Sequence, residues 1–576
     1  MPYDLIIRGG KIVDGTGTPC YRGDLGIAQG VIADIGDLRG IKSKDVIDAE
    51  GLIIAPGFID GHTHMDAQVF WDHLGTNSCW HGVTSVVMGN CGFTLAPCPE
   101  KEKSLVLHNL ERAEDISPEA MNAGIDWCWE HFSEYFDTVD ALPKGLNYAG
   151  FVGHSAIRTY AMGKRAMDES ATNEDILVMQ RELDLSLKAG AIGFSTSRTQ
   201  SHRTPEGKPV ASRLAKWEEL TSLAATMKNL GNGIMQIARE NTIDDPELRR
   251  IEFEEVKTLA LEIGVPVTFG NTWYRNTHPD IWRQQVQMVD EILARGGSVM
   301  MQGTASWNGS LRSFETMTPY DEISVWREFR KLPLSVQKNG LLDPDMRAKL
   351  VKAVHDHKHN ADPSLPNALQ RPVDWDWVFP LEKTLPPYRS IGEIARQKKI
   401  EGIDVFLNMA LEKDLKQFFI QPSHNQDQNA VIEMIRHPNT AVTFSDAGAH
   451  VATTINPIHG HLLGHWVRNE QAIGLEEAVR KITFEIAKFW GLQKRGLLKK
   501  GSYADITIFN SETITPGMPE LVHDLPAGAP RIKQKTDGII ATIVNGELFM
   551  NNNEHTGTFP GRLIRSPLAQ SRSFKS

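Results

Sequence analysis

The sequence predicts an α/β protein: a TIM-like (β/α)8 barrel with a flanking β-sandwich-like subdomain and an inserted cap. Through the middle of the chain, short apolar runs typical of buried parallel strands alternate with segments of helical periodicity. Strand-like, turn-rich segments lie at both ends, and a long segment separates the last two strand candidates. A length of 576 residues suits a barrel that carries insertions.

The two ends of the chain share one sequence pattern, in which short strand-like runs are separated by turns. The first fifty residues contain short strand-like runs separated by glycine pairs, and similar runs return at Ala504–Phe509 and Ile539–Val544, before the hairpin signal Asn545-Gly546. Neither end is long enough to bury a core alone. We therefore expect residues 1–56 and 490–549 to form one β-subdomain, followed by a C-terminal tail over 550–576.

Residues 57–489 are expected to form the barrel. Its eight strand candidates are Phe58–His62, Ser85–Asn90, Leu146–Gly153, Ala191–Ser195, Gly233–Ile237, Val265–Phe269, Ser298–Gln302 and Ala441–Phe444. Helical spacers include Glu174–Lys188, Leu214–Leu230 and Asp280–Ala294. The segment 308–396, between strands seven and eight, is too long for a barrel connection and is expected to be a cap. Active sites of such barrels lie at the C-terminal ends of the strands.

Composition excludes several classes of partner. A net charge of −11 argues against nucleic acid and anionic membranes, and no apolar run is long enough to span a bilayer. The N-terminus lacks the basic and apolar regions of an export signal. Five cysteines without framework spacing suggest a reducing compartment. We therefore expect a cytoplasmic enzyme that acts on a small molecule. We also expect a homodimer, because dimers are the commonest oligomers among soluble proteins.

Two histidines at the end of the first strand are the strongest chemical signal. Side chains alternate along a strand, so His62, His64 and Asp60 project to the same face. Two imidazoles at one strand end are an arrangement that holds a divalent transition metal. A single His-x-His is more often a surface coincidence, so the interpretation depends on the other strand ends.

Strands two and three also end in polar residues. Cys91 follows strand two between small residues, and a thiolate there is a metal ligand, a nucleophile or an inert buried cysteine. His154 follows strand three, where it either donates a hydrogen bond to a substrate oxygen or caps a loop. Strand four brings no lysine to its end, so no carbamylated lysine bridge is predicted there.

Asp446 follows strand eight. A carboxylate at this point can bind metal and accept a proton from metal-activated water, although a lone Ser-Asp is more commonly a turn or helix cap. Strands one, two and eight are neighbours in a closed barrel. The side chains of His62, His64, Cys91 and Asp446 are therefore expected to meet.

Several motifs together resemble one family. They are Gly57–His64, Gly89–Gly92, Gly153-His154 with Arg158, Gly193–Thr196, Ser445-Asp446 and Pro560–Arg562. The chain resembles the amidohydrolase superfamily and, within it, the N-acyl-D-amino-acid deacylases (D-aminoacylases). The resemblance implies a metal-dependent barrel that hydrolyses an amide C–N bond. It also implies that His62 and His64 bind metal, that Cys91 replaces the carbamylated lysine as a ligand, and that Asp446 is ligand and general base.

The chain departs from that family pattern at the second metal site. Histidines are expected at the ends of strands five and six, but Ile237 stands at the first position and Gly270 or Asn271 at the second. The lysine that would grip a substrate carboxylate is replaced by Thr272 and Trp273. We therefore expect one ion, most simply Zn2+ or else another divalent metal, and a substrate that need not be an N-acyl-D-amino acid.

The predicted activity is hydrolysis of an N-acyl amino acid or a related amide. Asp446 is the predicted base and His154 the predicted oxyanion donor. The candidate substrate-binding residues, each of which is equally well a solvated loop residue, are Arg198, His202, Arg239 and His450.

Two alternatives stay open. The same fold with one ion would also suit hydrolysis of a cyclic amide, ester or carbamate, or a lyase or decarboxylase step. A bulky acyl group would be favoured if tryptophans line the cap, although such residues are more often core; they are Trp273, Trp307, Trp326, Trp375 and Trp377. The other alternative is a non-catalytic oligomeric scaffold, against which the intact ligand set argues.

Overall fold

The computed structural model describes residues 3–270, 273–358, 369 and 372–567, and it confirms the predicted barrel. Barrel strands one to eight are Phe58–Asp60 with His62–Thr63, Val83–Met88, Asn147–Gly150 with Val152–Gly153, Gly193–Ser197, Ile234–Ala238, Val267–Gly270, Val299–Gly303, and Thr440–Val442 with Phe444–Ala447. Each strand pairs in parallel with the next. Strand eight closes the ring on strand one, with Phe444 opposite His62.

Helices connect and cover the strands. Those outside the inserted segment are Lys103–Glu111, Pro118–Gly124, Phe132–Ala141, His154–Met162, Asn173–Ala189, Trp217–Leu230, Pro246–Lys257, Ile281–Ala294, Gln428–Arg436, Ile458–His461, Leu475–Lys481 and Phe484–Trp490. The helix Asn173–Ala189 shows why they form: Thr172 and Asp175 make a capping box at its start, and Gly190 ends it. Its buried residues Met179 and Leu183 are four apart and face the barrel.

A nine-stranded sheet joins the two ends of the chain. Its strands are Tyr3–Ile12, Tyr21–Ala28, Val31–Gly36, Ser43–Asp48, Ile53–Pro56, Ile506–Phe509, Ile539–Val544, Glu547–Asn551 and Glu554–His555. The strand Ile506–Phe509 pairs antiparallel with both Ile53–Pro56 and Ile539–Val544, which joins N- and C-terminal segments directly. The boundary expected at 549 falls inside Glu547–Asn551, and the sheet continues to His555. Residues 568–576 of the expected tail lie outside the described residues.

The segment between strands seven and eight packs around a core of its own. It contains the helices Ser324–Arg330, Leu334–Leu342, Pro344–Asp356, Ile391–Lys398 and Gly402–Glu412, and a sheet of Asn308–Arg312, Phe379–Pro380 and Phe419–His424. Trp326 and Phe406 lie fully buried in that core. The boundary expected at 396 falls inside a helix, and the packed unit continues to residue 424. Residues 359–368, 370 and 371 of this segment lie outside the described residues.

Short antiparallel pairs complete the chain before its last hairpin. They are Thr515–Pro516 with Thr536–Asp537, and Glu520–Val522 with Arg531–Lys533. None of the helices in the described ranges is long and apolar enough to cross a membrane.

Candidate metal centre

Four side chains from barrel strands one, two and eight meet at the C-terminal end of the barrel. His62 Nε2 lies 3.4 Å from Cys91 Sγ and 3.5 Å from Asp446 Oδ1. His64 Nε2 lies 3.1 Å from the same carboxylate oxygen. Ligands of a tetrahedral zinc ion, at about 2.0–2.3 Å from it, lie about 3.3–3.8 Å from one another. The spacing of these donors therefore suits one shared ion.

His62 is held in a fixed orientation. Its Nδ1 lies 2.5 Å from Gln302 Oε1 on strand seven, and the ring of Phe444 packs against it with 4.0 Å between ring centroids. A hydrogen bond at the second ring nitrogen is the usual way in which a protein orients a metal-binding histidine. Burial lowers the pKa of His62 to about 4, so the imidazole is neutral at pH 7 and its Nε2 is available as a ligand.

Cys91 is presented by a strained turn. It has a φ of 58°, in the left-handed region that favours glycine, and its backbone N–H donates to Gln236 Oε1 at 2.7 Å. A side chain on the preceding Gly89 would place its Cβ 2.4 Å from the carbonyl oxygen of Phe151. Non-glycine residues persist in such conformations where the surrounding structure enforces them, and they cluster at functional sites.

Asp446 is the carboxylate of the cluster that solvent reaches. Its side chain is 21 % exposed, and it too has a positive φ, of 62°. Burial opposes the charged form, but the hydrogen bond and charge of His64 outweigh it and hold the pKa of Asp446 below its ordinary value. The neighbouring Asp60 accepts a hydrogen bond from the Ser445 hydroxyl, and burial raises its pKa to about 7. Asp60 thus ties strand one to strand eight.

Glu114 belongs to the same cluster and was not predicted. Its side chain is 2 % exposed, and Oε2 lies 3.4 Å from His64 Nε2. It follows the helix Lys103–Glu111 in the connection after strand two, without a strand end or a motif to mark it. The one available signal was its position, because connections after barrel strands cover the end where active sites lie.

Two of the four predicted substrate-binding residues lie beside the cluster. His202 Nε2 is 3.8 Å from Glu114 Oε1, and burial lowers the pKa of His202 to about 3. The backbone N–H of His450 donates to the carbonyl oxygen of Glu114 at 2.7 Å. The side chain of His202 and the backbone of His450 therefore both lie next to Glu114.

The two predicted arginines are held elsewhere. Arg198 pairs with Glu240 at 2.8 Å, and Arg239 pairs with Glu252 through two hydrogen bonds of 2.9 and 2.5 Å. Each guanidinium already has a carboxylate partner. Binding a substrate carboxylate would require either arginine to give up that partner.

His154, the predicted oxyanion donor, lies in a hydrogen-bonded cluster of its own. This residue is fully buried; its Nε2 lies 2.7 Å from Glu219 Oε1, and its Nδ1 lies 2.9 Å from Thr196 Oγ1. Arg158 pairs with the other oxygen of Glu219 at 2.5 Å. Because both ring nitrogens are already bonded, His154 has no hydrogen left to donate to a substrate.

The described positions of the family's second metal site lack its histidines. On strand five the residue that reaches the cluster is Gln236, while Ile237 is packed in the apolar core. At Gly270 on strand six, an added Cβ would lie 2.9 Å from the ring of Phe444. Asn271 and Thr272 lie outside the described residues.

One cleft adjoins the cluster, and a second cleft adjoins the first. The larger, of about 660 Å³, is lined by Asp446 and reaches Ile455 and Gln534. The smaller, of about 500 Å³, shares those two residues and is mainly apolar; its lining includes Trp307, Leu381, Pro386, Tyr388 and Ile420. Of the tryptophans considered above, Trp307 lines this cleft. Trp273 packs against Phe444, and Trp326 and Trp375 belong to the core of the inserted segment.

Comparisons with known proteins agree with this architecture. The chain is 26 % identical over 569 residues to the D-aminoacylase of Alcaligenes xylosoxydans xylosoxydans, covering 98 % of each chain. It is similar to the structure of the N-acyl-D-glutamate deacylase of Bordetella bronchiseptica, solved with zinc and a phosphonate inhibitor, at 22 % identity and a TM-score of 0.65, covering 98 % of this chain and 100 % of that one. A D-aminoacylase described as having a binuclear metal centre matches at 23 % identity, with the same TM-score of 0.65 and the same coverage of 98 % and 100 %.

A sequence model of the amidohydrolase family matches residues 45–549. That range includes the whole barrel, the inserted segment and part of the flanking sheet. The resemblance predicted from the motifs is confirmed, and this chain belongs to the amidohydrolase family of enzymes.

Proposed function

We propose that this protein is a metal-dependent hydrolase that cleaves the amide C–N bond of a small N-acylated molecule, most simply an N-acyl amino acid. The observation that carries the proposal is the convergence of His62, His64, Cys91 and Asp446 within shared-ligand distance. The named activities of its relatives, D-aminoacylase and N-acyl-D-glutamate deacylase, support this class of substrate.

The donor set fits zinc. Imidazole nitrogen, thiolate sulfur and carboxylate oxygen are the three ligand types that zinc accepts in proteins. Four tightly held ligands would make a closed structural site, so we propose that Cys91 or Asp446 is the weakly held one. A bound zinc ion supplies Lewis-acid polarisation of the acyl carbonyl and lowers the pKa of water to about 7.

Asp446 is the proposed general base. Its side chain is 21 % exposed, whereas that of Glu114 is 2 % exposed, and Asp446 lines the larger cleft. With a pKa below its ordinary value it is ionised at neutral pH. It is therefore placed to take a proton from the attacking water and to deliver it to the leaving nitrogen.

The clefts suggest how a substrate is bound. The apolar cleft, with Trp307 and Tyr388, suits a bulky aromatic or aliphatic acyl group. His450 is the proposed polar contact beside the reacting amide, and His202 lies next to Glu114. Because Arg198 and Arg239 are already paired, we give them no part in the simplest form of the proposal.

Metal analysis joined to an activity panel tests the proposal. Purified protein should contain a stoichiometric divalent metal and release free amine from some member of a panel of N-acyl-D- and N-acyl-L-amino acids. The double variant His62→Ala/His64→Ala should lose the activity and the ion that these two histidines bind, while a variant of the exposed His523, His523→Ala, should keep its metal content and its activity. A well-folded protein without metal or activity would overturn the proposal and favour the scaffold alternative.

Two further proposals concern the state of the protein. All five cysteines are free, which supports a reducing, cytoplasmic environment. Homodimerisation is proposed on general frequency alone, and light scattering of the purified chain tests it.

A further inference from the structure

We propose a second divalent-cation site, formed by Cys91, Glu114 and His202, which replaces the second site that the family places on strands five and six. This inference rests on the proposed function in one respect, because Cys91 is shared with the first site. The new part of the proposal is that Glu114 and His202, which lie on two connections between barrel strands, bind a second ion.

The geometry assigns Glu114 to both sites. One ligand atom from each of Cys91, Glu114 and His202 lies within 4.8 Å of the others. Glu114 Oε2 faces His64 Nε2 at 3.4 Å, while Oε1 faces His202 Nε2 at 3.8 Å. A carboxylate with one oxygen toward each imidazole is placed to bridge two ions, which in two-metal enzymes lie about 3.5–4 Å apart.

Glu114 lacks the partners that a buried carboxylate needs. Within the described residues, its Oε1 is buried without a hydrogen-bond partner, and the ion-pair partners of its side chain are imidazoles only. An unpaired buried charge is strongly unfavourable, and a metal ion is one of the few ways to compensate it.

His202 is oriented as a ligand. Its Nδ1 lies 2.8 Å from Ser197 Oγ, and its ring packs on Phe93 with 5.2 Å between centroids. When Nδ1–H donates to that hydroxyl, Nε2 keeps its lone pair and faces Glu114. Gln302 orients His62 in the same way. In both imidazoles Nδ1 is therefore held by a hydrogen bond, and Nε2 faces the cluster.

The donor types indicate the ion. Sulfur, nitrogen and oxygen donors favour zinc over magnesium or calcium, and three protein ligands leave a coordination position open. Since Cys91 and Glu114 lie between the two sites, we expect occupancy of the second to change the affinity of the first.

Metal stoichiometry tests the inference directly. Wild-type protein equilibrated with zinc and freed of excess ion should contain about two zinc ions per chain by inductively coupled plasma mass spectrometry. Glu114→Gln and His202→Asn should each retain about one, as should His62→Ala/His64→Ala. The control Glu182→Gln alters another buried glutamate beside a histidine and should retain two.

The outcomes separate the two proposals. About one zinc ion in the wild type, unchanged in Glu114→Gln and lost in His62→Ala/His64→Ala, overturns the second site and leaves the proposed function standing. No zinc in the wild type overturns both.

A thermal measurement gives a readout without activity. Added zinc should raise the unfolding temperature less in Glu114→Gln than in the wild type, because the variant lacks one ligand of the second ion. An equal rise in the two proteins would overturn the inference.

Discussion

Two buried polar clusters lie at the same end of the barrel, and they differ in how their charges are balanced. In the first, Glu219 stands between the guanidinium of Arg158, at 2.5 Å, and the ring of His154, at 2.7 Å. In the second, Glu114 and Asp446 face imidazoles and a thiol. The first cluster pairs its carboxylate with a guanidinium, whereas the ion-pair partners of Glu114 and Asp446 among the described residues are imidazoles.

The comparison separates structural from functional polar groups. A cluster whose hydrogen bonds and charges are complete within the protein has no need of a ligand. One whose buried carboxylates lack a guanidinium or ammonium partner can be completed by a metal ion. Both clusters contain a histidine that follows a barrel strand, so position alone did not distinguish His154 from His64.

The largest expected difference between the clusters is in catalysis. Asp446→Asn should lower kcat by about 10²–10⁴-fold, because it removes the proposed proton acceptor. His154→Gln should lower kcat by less than about 10-fold, since its ring does not face the clefts. Steady-state kinetics on the best amide substrate provides the measurement. Equal losses of kcat in the two variants would show that the two clusters do not differ in their contribution to catalysis.

The clusters should also differ in stability. Glu219→Gln leaves Arg158 buried without its ionic partner, so we expect a loss of about 3–5 kcal/mol in the free energy of unfolding. Its metal content should not change. Glu247→Gln, in an exposed pair with Arg250, is the control and should unfold like the wild type. Urea titration checks both, and a variant as stable as the wild type would show that the Arg158 cluster is dispensable.

Removing metal should affect one cluster only. At a free zinc concentration about 100 times the dissociation constant, binding stabilises the folded state by about 2.7 kcal/mol, which a chelator removes. The chelator should lower the unfolding temperature of wild type and His154→Gln equally, and that of His62→Ala/His64→Ala by less, because the double variant has lost the ion bound by these two histidines. A smaller effect in His154→Gln than in the wild type would show that the His154 cluster also depends on metal.

The smallest effect is a dependence on pH. Burial lowers the pKa of His154, although its hydrogen bond to Glu219 acts in the opposite direction. Below the ordinary pKa of about 6.5 the unfolded chain therefore binds a proton that the folded chain does not, so stability falls as pH decreases from that value. His154→Gln should flatten this fall in metal-free protein. Urea titrations at several pH values measure the slope, and an unchanged slope would argue against a neutral buried His154.

The sequence predicted best what depends on local pattern. All eight barrel strands were expected, because each is a short apolar run that alternates with a helix. The meeting of the side chains at the ends of strands one, two and eight followed from strand order. Glu114 could not be found in this way, since it lies on a connection whose path is set by tertiary packing.

Other differences from prediction arise from distance and register. The partners of His154 include Glu219, which lies 65 residues further along the chain, so no local pattern revealed that this histidine is already bonded. On strand five, Ile237 was compared with the family histidine, but its neighbour Gln236 faces the cluster. A difference of one residue moves a side chain to the opposite face of a strand.

The sheet built from both ends of the chain constrains how the protein is made. The strand Ile53–Pro56 leads directly into the first barrel strand, yet one of its neighbours, Ile506–Phe509, emerges from the ribosome some 450 residues later. Until then the nascent polypeptide exposes an unpaired strand edge, which is prone to association with other chains. Translation that stops before residue 506 would leave this edge permanently open, so truncated products of this gene should aggregate.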